Sequence, residues 1–132
     1  MVVERVDLPL GPASGDRASQ AYKVGKRGTD DISIVAAAFV VDRESDGVVR
    51  HARLAYGGVA ATPVRALRSE AALLGAVVDE ATVAQVAALL GGEFVPLDDL
   101  RGSAAYRRRL TASLFEKFCT EHLLGEAPED DR

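Results

Sequence analysis

Read by the alternation of apolar and polar positions, the chain places its strand patterns first and its helix patterns afterwards. Val2 to Leu10 alternates, with Val6, Leu8 and Leu10 on one side and Arg5 and Asp7 on the other. Pro9 has no N–H to give a neighbouring strand, which confines this strand to an edge or an end. A chain that begins inside a strand reads as part of a longer polypeptide, or of a complex whose partner supplies the neighbouring strands. Gly11 to Ser19, GPASGDRAS, is a polar, turn-forming loop. From Ser33 to Val41 both alternating sets are apolar: Ile34, Ala36, Ala38 and Val40 on one face, Val35, Ala37, Phe39 and Val41 on the other. That pattern predicts a strand covered on both sides. Its β-branched residues and the Asp46-Gly47 turn that follows favour a hairpin over an alanine-rich helix. Val48 to Tyr56 is the return strand, with Ala52, Leu54 and Tyr56 toward the core. His51 and Arg53 face the other way, onto a surface that is either wet or covered by another domain.

After Gly57-Gly58 the period changes. Thr62-Pro63 predicts a helix start, the threonine capping and the proline occupying the first turn. Val64, Leu67, Ala71 and Leu74 form its stripe and Gly75 closes it. Asp79 starts a second helix striped by Val83, Val86, Ala87 and Leu90, with Gly91-Gly92 as terminator. Gly92 to Gly102 is a loop. Ser103 caps a third helix reaching about Leu123, roughly 30 Å long at 1.5 Å per residue. Tyr106, Leu110, Leu114 and Phe118 make its buried stripe, Phe115 and Cys119 its edge, and Arg107, Arg108, Lys117 and Glu121 point away. Strands followed by helices is the segregated order of an α+β sandwich, here a small antiparallel sheet of three to four strands under three C-terminal helices. One domain is expected over residues 1–124, followed by a disordered acidic tail from Gly125 to Arg132.

Composition changes this picture in one respect. With 132 residues, 48% hydrophobic and 27% charged, a single core is affordable without metal or disulfide staples. Four Phe, three Tyr and no Trp leave Val, Leu, Ile and Ala to fill it. The net charge of −4 argues against a general nucleic-acid binder, which needs a concentrated basic surface. A single cysteine, Cys119, excludes an intramolecular disulfide and a cysteine-based metal site. No apolar run approaches the roughly 20 residues that span a bilayer, and MVVERVDLPL lacks a signal peptide's longer apolar region. A cytoplasmic location is expected.

The candidate chemistry is concentrated between Gln20 and Val41. Lys23, Lys26 and Arg27, with Gly25 and Gly28 permitting unusual backbone angles, form a basic loop that either holds an anion or is simply solvated. It is neither a Walker loop nor a dinucleotide fingerprint. Asp30 and Asp31 are adjacent on a strand entry and point to opposite faces, so they do not form a carboxylate pair. Gly57-Gly58 marks either close backbone approach to a ligand or a corner. Arg107, Arg108 and Arg109 spread around a helix and form no patch. Cys119 reads as a small buried residue and His51 as an exposed strand residue. No Ser-His-Asp constellation can be built, and no self-sufficient catalytic site is present by this reading.

Four blocks, in order, carry a resemblance: Y-K-V-G-K-R-x-x-D-D-I-S-I-V-A-A-A-F, R-L-A-Y-G-G-V-A-A-T-P-V-R-A, S-E-A-A-L-L-G, and S-A-A-Y-R-R-R-L with L-F-E-K-F. Together, over Val2 to about His122, the chain resembles the C-terminal domain of the FAD-binding subunit of molybdenum hydroxylases, a CO dehydrogenase flavoprotein C-terminal-like domain. The closest likeness is to the small subunit of bacterial xanthine dehydrogenase. The resemblance implies an α+β sandwich that follows a larger FAD-binding domain and helps enclose the flavin. In such enzymes electrons pass from a molybdopterin-bound molybdenum centre through two iron-sulfur clusters to this flavin, and then to NAD. It places Lys23 close to the flavin ring and the loop Val24 to Asp31 at its rim, where NAD approaches. Val3 matches an aliphatic position beside the flavin, and Arg27, Asp30 and Asp31 match polar loop positions. Gly28 stands where an arginine often occurs. The family's pyrophosphate-binding segments and iron-sulfur cysteines are absent, which implies a flavin-side fragment and not a complete enzyme. The rival readings are an assembly module that covers a partner's sheet without touching a ligand, and a free-standing enzyme of another kind.

Overall fold

The computed structural model describes residues 15–25, 34–96 and 103–124. A four-stranded sheet runs in the order β1-β2-β3-β4, with β1 Asp16–Val24, β2 Val35–Arg43, β3 Val49–Gly57 and β4 Val64–Arg65, each pair antiparallel. Three helices follow: α1 Leu67–Leu73, α2 Glu80–Glu93 and α3 Ala104–His122. The segregated α+β order expected from the chain is the order observed. The expected strand Val2–Leu10 and the acidic tail lie outside the described residues.

The core forms on one side of the sheet because β2 and β3 send every second side chain there. Val35, Ala37, Phe39 and Val41 from β2 meet Val49, Ala52, Leu54 and Tyr56 from β3, all buried. Phe39 is the hub. Its ring lies 5.4 Å from Tyr56, 5.3 Å from Phe118, 6.2 Å from Phe115 and 6.0 Å from Tyr22, in tilted or edge-on arrangements. Such geometry places positive ring edges on negative ring faces. α3 lies across this cluster and is pinned by polar contacts at its middle and near its C-terminal end. Tyr56 Oη donates to the Thr111 carbonyl at 2.7 Å, and Tyr22 Oη donates to Glu121 Oε1 at 2.7 Å.

The hairpin turns where Asp46-Gly47 predicts. Gly47 has φ +87°, and the Val48 N–H donates to Asp46 Oδ1. Asp79 caps α2 by accepting from Thr82 N, and Ser103 caps α3 by accepting from Tyr106 N. Other expectations fail for identifiable reasons. β1 begins at Asp16, inside the segment read as loop, because Asp16 to Val24 pairs residue by residue with β2. Lys23 therefore sits on a strand and not in a loop. β2 is covered on one side only, and Ala38 on the other side is exposed. Thr62-Pro63 does not open a helix, since Val64–Arg65 first pairs with β3 and α1 starts at Leu67.

The phase of α1 is set by a polar group. Glu70 is buried because its Oε2 accepts from the Leu54 N–H at 2.9 Å and from Arg65 Nε at 3.0 Å. Its carboxylate takes the place that a longer β4 would fill. Turning Glu70 inward turns Leu67 and Leu74 outward, to 61% and 50% exposure, so the expected stripe is not the buried one. α2 likewise runs through Gly91 and Gly92 to Glu93. That carboxylate accepts from Arg68 N, Ser69 N and Ser69 Oγ, capping α1, whose own N-cap Ala66 has no side-chain acceptor. On α3 the buried face is Arg107, Thr111, Leu114, Phe115, Phe118 and Cys119, while Tyr106 is exposed. Arg107, expected to point away, is 6% exposed and donates through Nη1 to the Gly58 carbonyl at 2.8 Å.

That bond holds the corner after β3. Gly58 has φ +85°, and a Cβ there would lie 2.3 Å from the Ile34 carbonyl oxygen; Gly57 has ordinary φ and its nearest neighbour would be Ala36 Cβ at 3.8 Å. Gly58→Ala should therefore cost roughly 1–3 kcal/mol in urea unfolding, and Gly57→Ala should leave the midpoint nearly unchanged. Equal effects would show that the corner is not sterically closed. Glu93→Ala, which strips the borrowed cap from α1, should cost about 1–2 kcal/mol by the same measurement.

Candidate functional site

The helix-free side of the sheet is the face with unsatisfied surface. Antiparallel partners point the same way, so the register assigns its rows. Lys23, Ala36 and Gly57 form one row; Ala21, Ala38, Ala55 and Arg65 the next; Ser19, Val40 and Arg53 a third; Arg17, Asp42 and His51 the last. The middle is a floor of small apolar residues. A depression of about 250 Å³ lies over Ala36, Ala38, Ala55 and Gly57, walled by Pro63. A second, of about 530 Å³, continues from Ala55 and Pro63 past Val64 to Arg65 and Leu67.

The two ends of this face differ in charge state. At one end Lys23 is exposed, and its side chain makes no hydrogen bond or ion pair with the described residues. Ile34 N donates to the Val24 carbonyl at 2.7 Å, and Gly58 packs on Ile34, so the strand ends around Lys23 are braced from behind by Arg107. At the other end Arg17 grips Asp42 with two hydrogen bonds, Nε to Oδ1 at 2.6 Å and Nη2 to Oδ2 at 2.8 Å. His51 Nδ1 lies 3.6 Å from Asp42 Oδ2. The Arg17 hydrogen bonds hold the Asp42 carboxyl below the usual carboxylate range, against the opposing effect of burial. They also raise the pKa of the Arg17 guanidinium. The cation near the small-residue floor is thus available, and the carboxylate is already committed.

Of the residues singled out in the sequence, Lys23 lies on this face. Val3, Arg27 and Asp31 lie outside the described residues, as do Lys26, Gly28 and Asp30. Gly57-Gly58 proves to be a corner: the close approach at Gly58 is to the chain's own Ile34 carbonyl. His51 is exposed, as expected. Cys119 is buried, and burial pushes its thiol up to about 12, so it carries no thiolate at neutral pH. Among the described residues no three His, Cys, Asp or Glu side chains gather as a metal site, and no helix is long and apolar enough to cross a membrane. The alanine floor was not singled out in the sequence. Part of its signal was there, since Ala36 and Ala38 alternate with the core-facing Val35 and Phe39.

The family model for the CO dehydrogenase flavoprotein C-terminal domain matches residues 20–122. A nicotinate hydroxylase of Emericella nidulans is 40% identical over an alignment of 121 residues that covers 89% of this chain and 9% of that protein. A xanthine dehydrogenase of Blastobotrys adeninivorans is 39% identical over an alignment of 120 residues that covers 83% of this chain and 8% of that protein. The solved carbon monoxide dehydrogenase of Hydrogenophaga pseudoflava superposes with a TM-score of 0.72 at 33% identity, over 83% of this chain and 37% of that one. Quinoline 2-oxidoreductase from Pseudomonas putida 86 gives 0.68 at 28% identity, over 83% of this chain and 36% of that one. The chain thus spans about a tenth of these curated relatives and a little over a third of the solved chains.

The Arg17–Asp42 pair has a defined pH signature. Its folded carboxyl pKa lies below the unfolded value of about 3.9, so its contribution is complete above that pH and is lost as pH falls through the depressed folded value. Asp42→Asn should remove this contribution at neutral pH and flatten the fall in stability below about pH 4. Thermal unfolding followed from pH 7 to pH 2 in both proteins tests it; parallel profiles would mean that Asp42 titrates alike in the folded and unfolded chains.

Proposed function

The chain belongs to the CO dehydrogenase flavoprotein C-terminal domain family, and on that premise we propose that it forms the flavin-enclosing part of a xanthine dehydrogenase-like molybdenum hydroxylase. The observation that carries this reading is Lys23, an exposed ammonium that makes no ion pair with the described residues, at the end of a floor made of Ala36, Ala38 and Gly57. Small side chains allow a flat ring to come close, and an exposed lysine reaches a ring edge from there. These residues fit the ring of an FAD. Contacts to its diphosphate belong to the preceding FAD-binding domain in this reading.

FAD, when bound, accepts electrons delivered by iron-sulfur clusters and passes them to NAD. Lys23 supplies a fixed positive charge, which stabilises negative charge developing beside it and so tunes the potential. Val3, Arg27 and Asp31 complete the rim in this proposal, with Val3 packing beside the ring and the two charged residues flanking the approach of NAD. The molybdopterin and iron-sulfur centres sit on other domains or subunits, in a cytoplasmic enzyme.

The open apolar face also favours a second reading, in which the chain is an assembly module that touches no ligand. Lys23→Ala in the assembled enzyme separates the two. A lost hydrogen bond to a charged group is worth about 1.5–3 kcal/mol, so the flavin midpoint should fall by roughly 30–60 mV at 30 mV per 1.4 kcal/mol for a two-electron couple. NADH formation should slow with it, and Lys23→Arg should restore most of the loss. An unchanged potential and unchanged NADH formation would leave the assembly module standing.

A further inference from the structure

We propose that Tyr22 and Glu121 are positioning residues for Lys23: α3 clasps the Tyr22 side chain on the helix side of β1 and so fixes the ammonium on the open side. This rests on the flavin reading of Lys23 given above. The need for a clasp follows from where Lys23 stands. Among the described residues β1 pairs with β2 alone, and Lys23 is the last residue but one before the strand ends at Val24. Strand ends of this kind are where local opening begins. β1 also has little burial of its own to hold it, since Ala18 is its one buried residue and Gln20, paired with Phe39, is exposed. By contrast α3 is fixed by Phe115, Phe118 and Cys119, all fully buried. The helix therefore holds the strand, and not the reverse.

Successive strand side chains point to opposite faces, so a contact that fixes Tyr22 on one side sets the direction in which Lys23 leaves on the other. Three groups hold Tyr22. Its ring lies 6.0 Å from that of Phe39, and Lys117 Nζ stands over it at 5.5 Å from the centroid, within cation–π range. Its Oη donates to Glu121 Oε1 at 2.7 Å, a bond to a charged acceptor. Lys117 and Glu121 are four residues apart and share one face of α3, which presents both to the same ring. Burial, and then the bond to Glu121, push the Tyr22 phenol above its ordinary range, so it remains a donor at neutral pH. Lys117 and Glu121 were expected to point away from the core, and both are exposed. Their partner is a strand 99 positions from Glu121 in sequence. The clasp is separate from the Arg107 brace, which acts on Gly58 and the start of β2. Tyr22 acts on the strand of Lys23 itself.

Two readouts on the assembled flavoprotein test the assignment: the flavin midpoint potential, and the exchange rate of the Ile34 amide, whose bond to the Val24 carbonyl closes the ladder just beyond Lys23. Tyr22→Phe keeps the ring and removes the hydroxyl. Glu121→Ala removes the acceptor, and Glu121→Gln keeps one. Tyr22→Phe and Glu121→Ala should each speed Ile34 exchange roughly two- to tenfold, the range set by one lost hydrogen bond, and should move the midpoint in the direction of Lys23→Ala by part of that shift. Glu121→Gln should stay close to the unsubstituted protein in both. Combined with Lys23→Ala, neither Tyr22→Phe nor Glu121→Ala should move the midpoint further, because each acts through the ammonium. Unchanged Ile34 exchange in Tyr22→Phe and Glu121→Ala would overturn the clasp whatever the potentials do. Faster exchange with an unmoved midpoint, where Lys23→Ala does move it, would overturn the positioning role and leave a structural contact. A shift that adds in full to that of Lys23→Ala would overturn it as well. If Lys23→Ala itself left the midpoint unchanged, the flavin reading would fail, while faster Ile34 exchange in Tyr22→Phe would still support the clasp as what fixes Lys23.

Discussion

Phe39 is the contact on which the rest of the structure depends. It stands at the middle of β2, where both neighbours in the sheet and the long helix converge, and its ring touches aromatic partners from β1, β3 and α3. In a chain with seven Phe and Tyr in all, counted as four and three, gathering five at one point concentrates most of the aromatic area available for burial. An aromatic side chain buries far more surface than an alanine. The helices accordingly pack on the side of the sheet that carries Phe39. The opposite side, left with alanines, has too little to bury to recruit an element of its own.

Around this core the unusual feature is how often a charged group does the work of secondary structure. Glu70 accepts from the Leu54 N–H where a third residue of β4 would otherwise be needed. Glu93 reaches back from the end of α2 to cap α1. Arg107 supports the Gly58 corner, and that corner closes on Ile34 at the entry of β2. Each satisfies a backbone group that burial would otherwise leave unpaired, which is the costly alternative. The result is that the end of the sheet carrying Lys23 is braced by groups more than 30 residues away in sequence.

This arrangement has a functional logic. A side chain that must sit at a fixed place beside a cofactor gains from being on a strand whose neighbours cannot shift. Lys23 is on such a strand, and its ammonium makes no ion pair with the described residues. The acidic residue that shares its face is held by Arg17 six residues along the same strand, roughly 20 Å away at 3.4 Å per residue. The face therefore keeps one end electropositive and the floor between apolar, which suits a surface that other parts of a flavoprotein complete.

Local patterns in the sequence determined much of this. Alternation determined β2 and β3, Asp46-Gly47 the hairpin, Asp79 and Ser103 the starts of α2 and α3, and the strand-then-helix order the α+β class, because these are properties of a few adjacent residues. The linked blocks around Tyr22–Phe39 and Arg53–Ala66 carried the family. Tertiary structure decided the rest. Which face of β2 is covered depends on where Phe39 finds partners, and the strand reads as apolar on both sides until they are in place. The phases of α1 and α3 turn on buried Glu70 and Arg107, residues that a hydrophobic stripe assigns to solvent, since their partners are backbone atoms of distant strands and corners. The alanine floor beside Lys23 exists only as a juxtaposition of three strands, and spacing along one chain cannot express it.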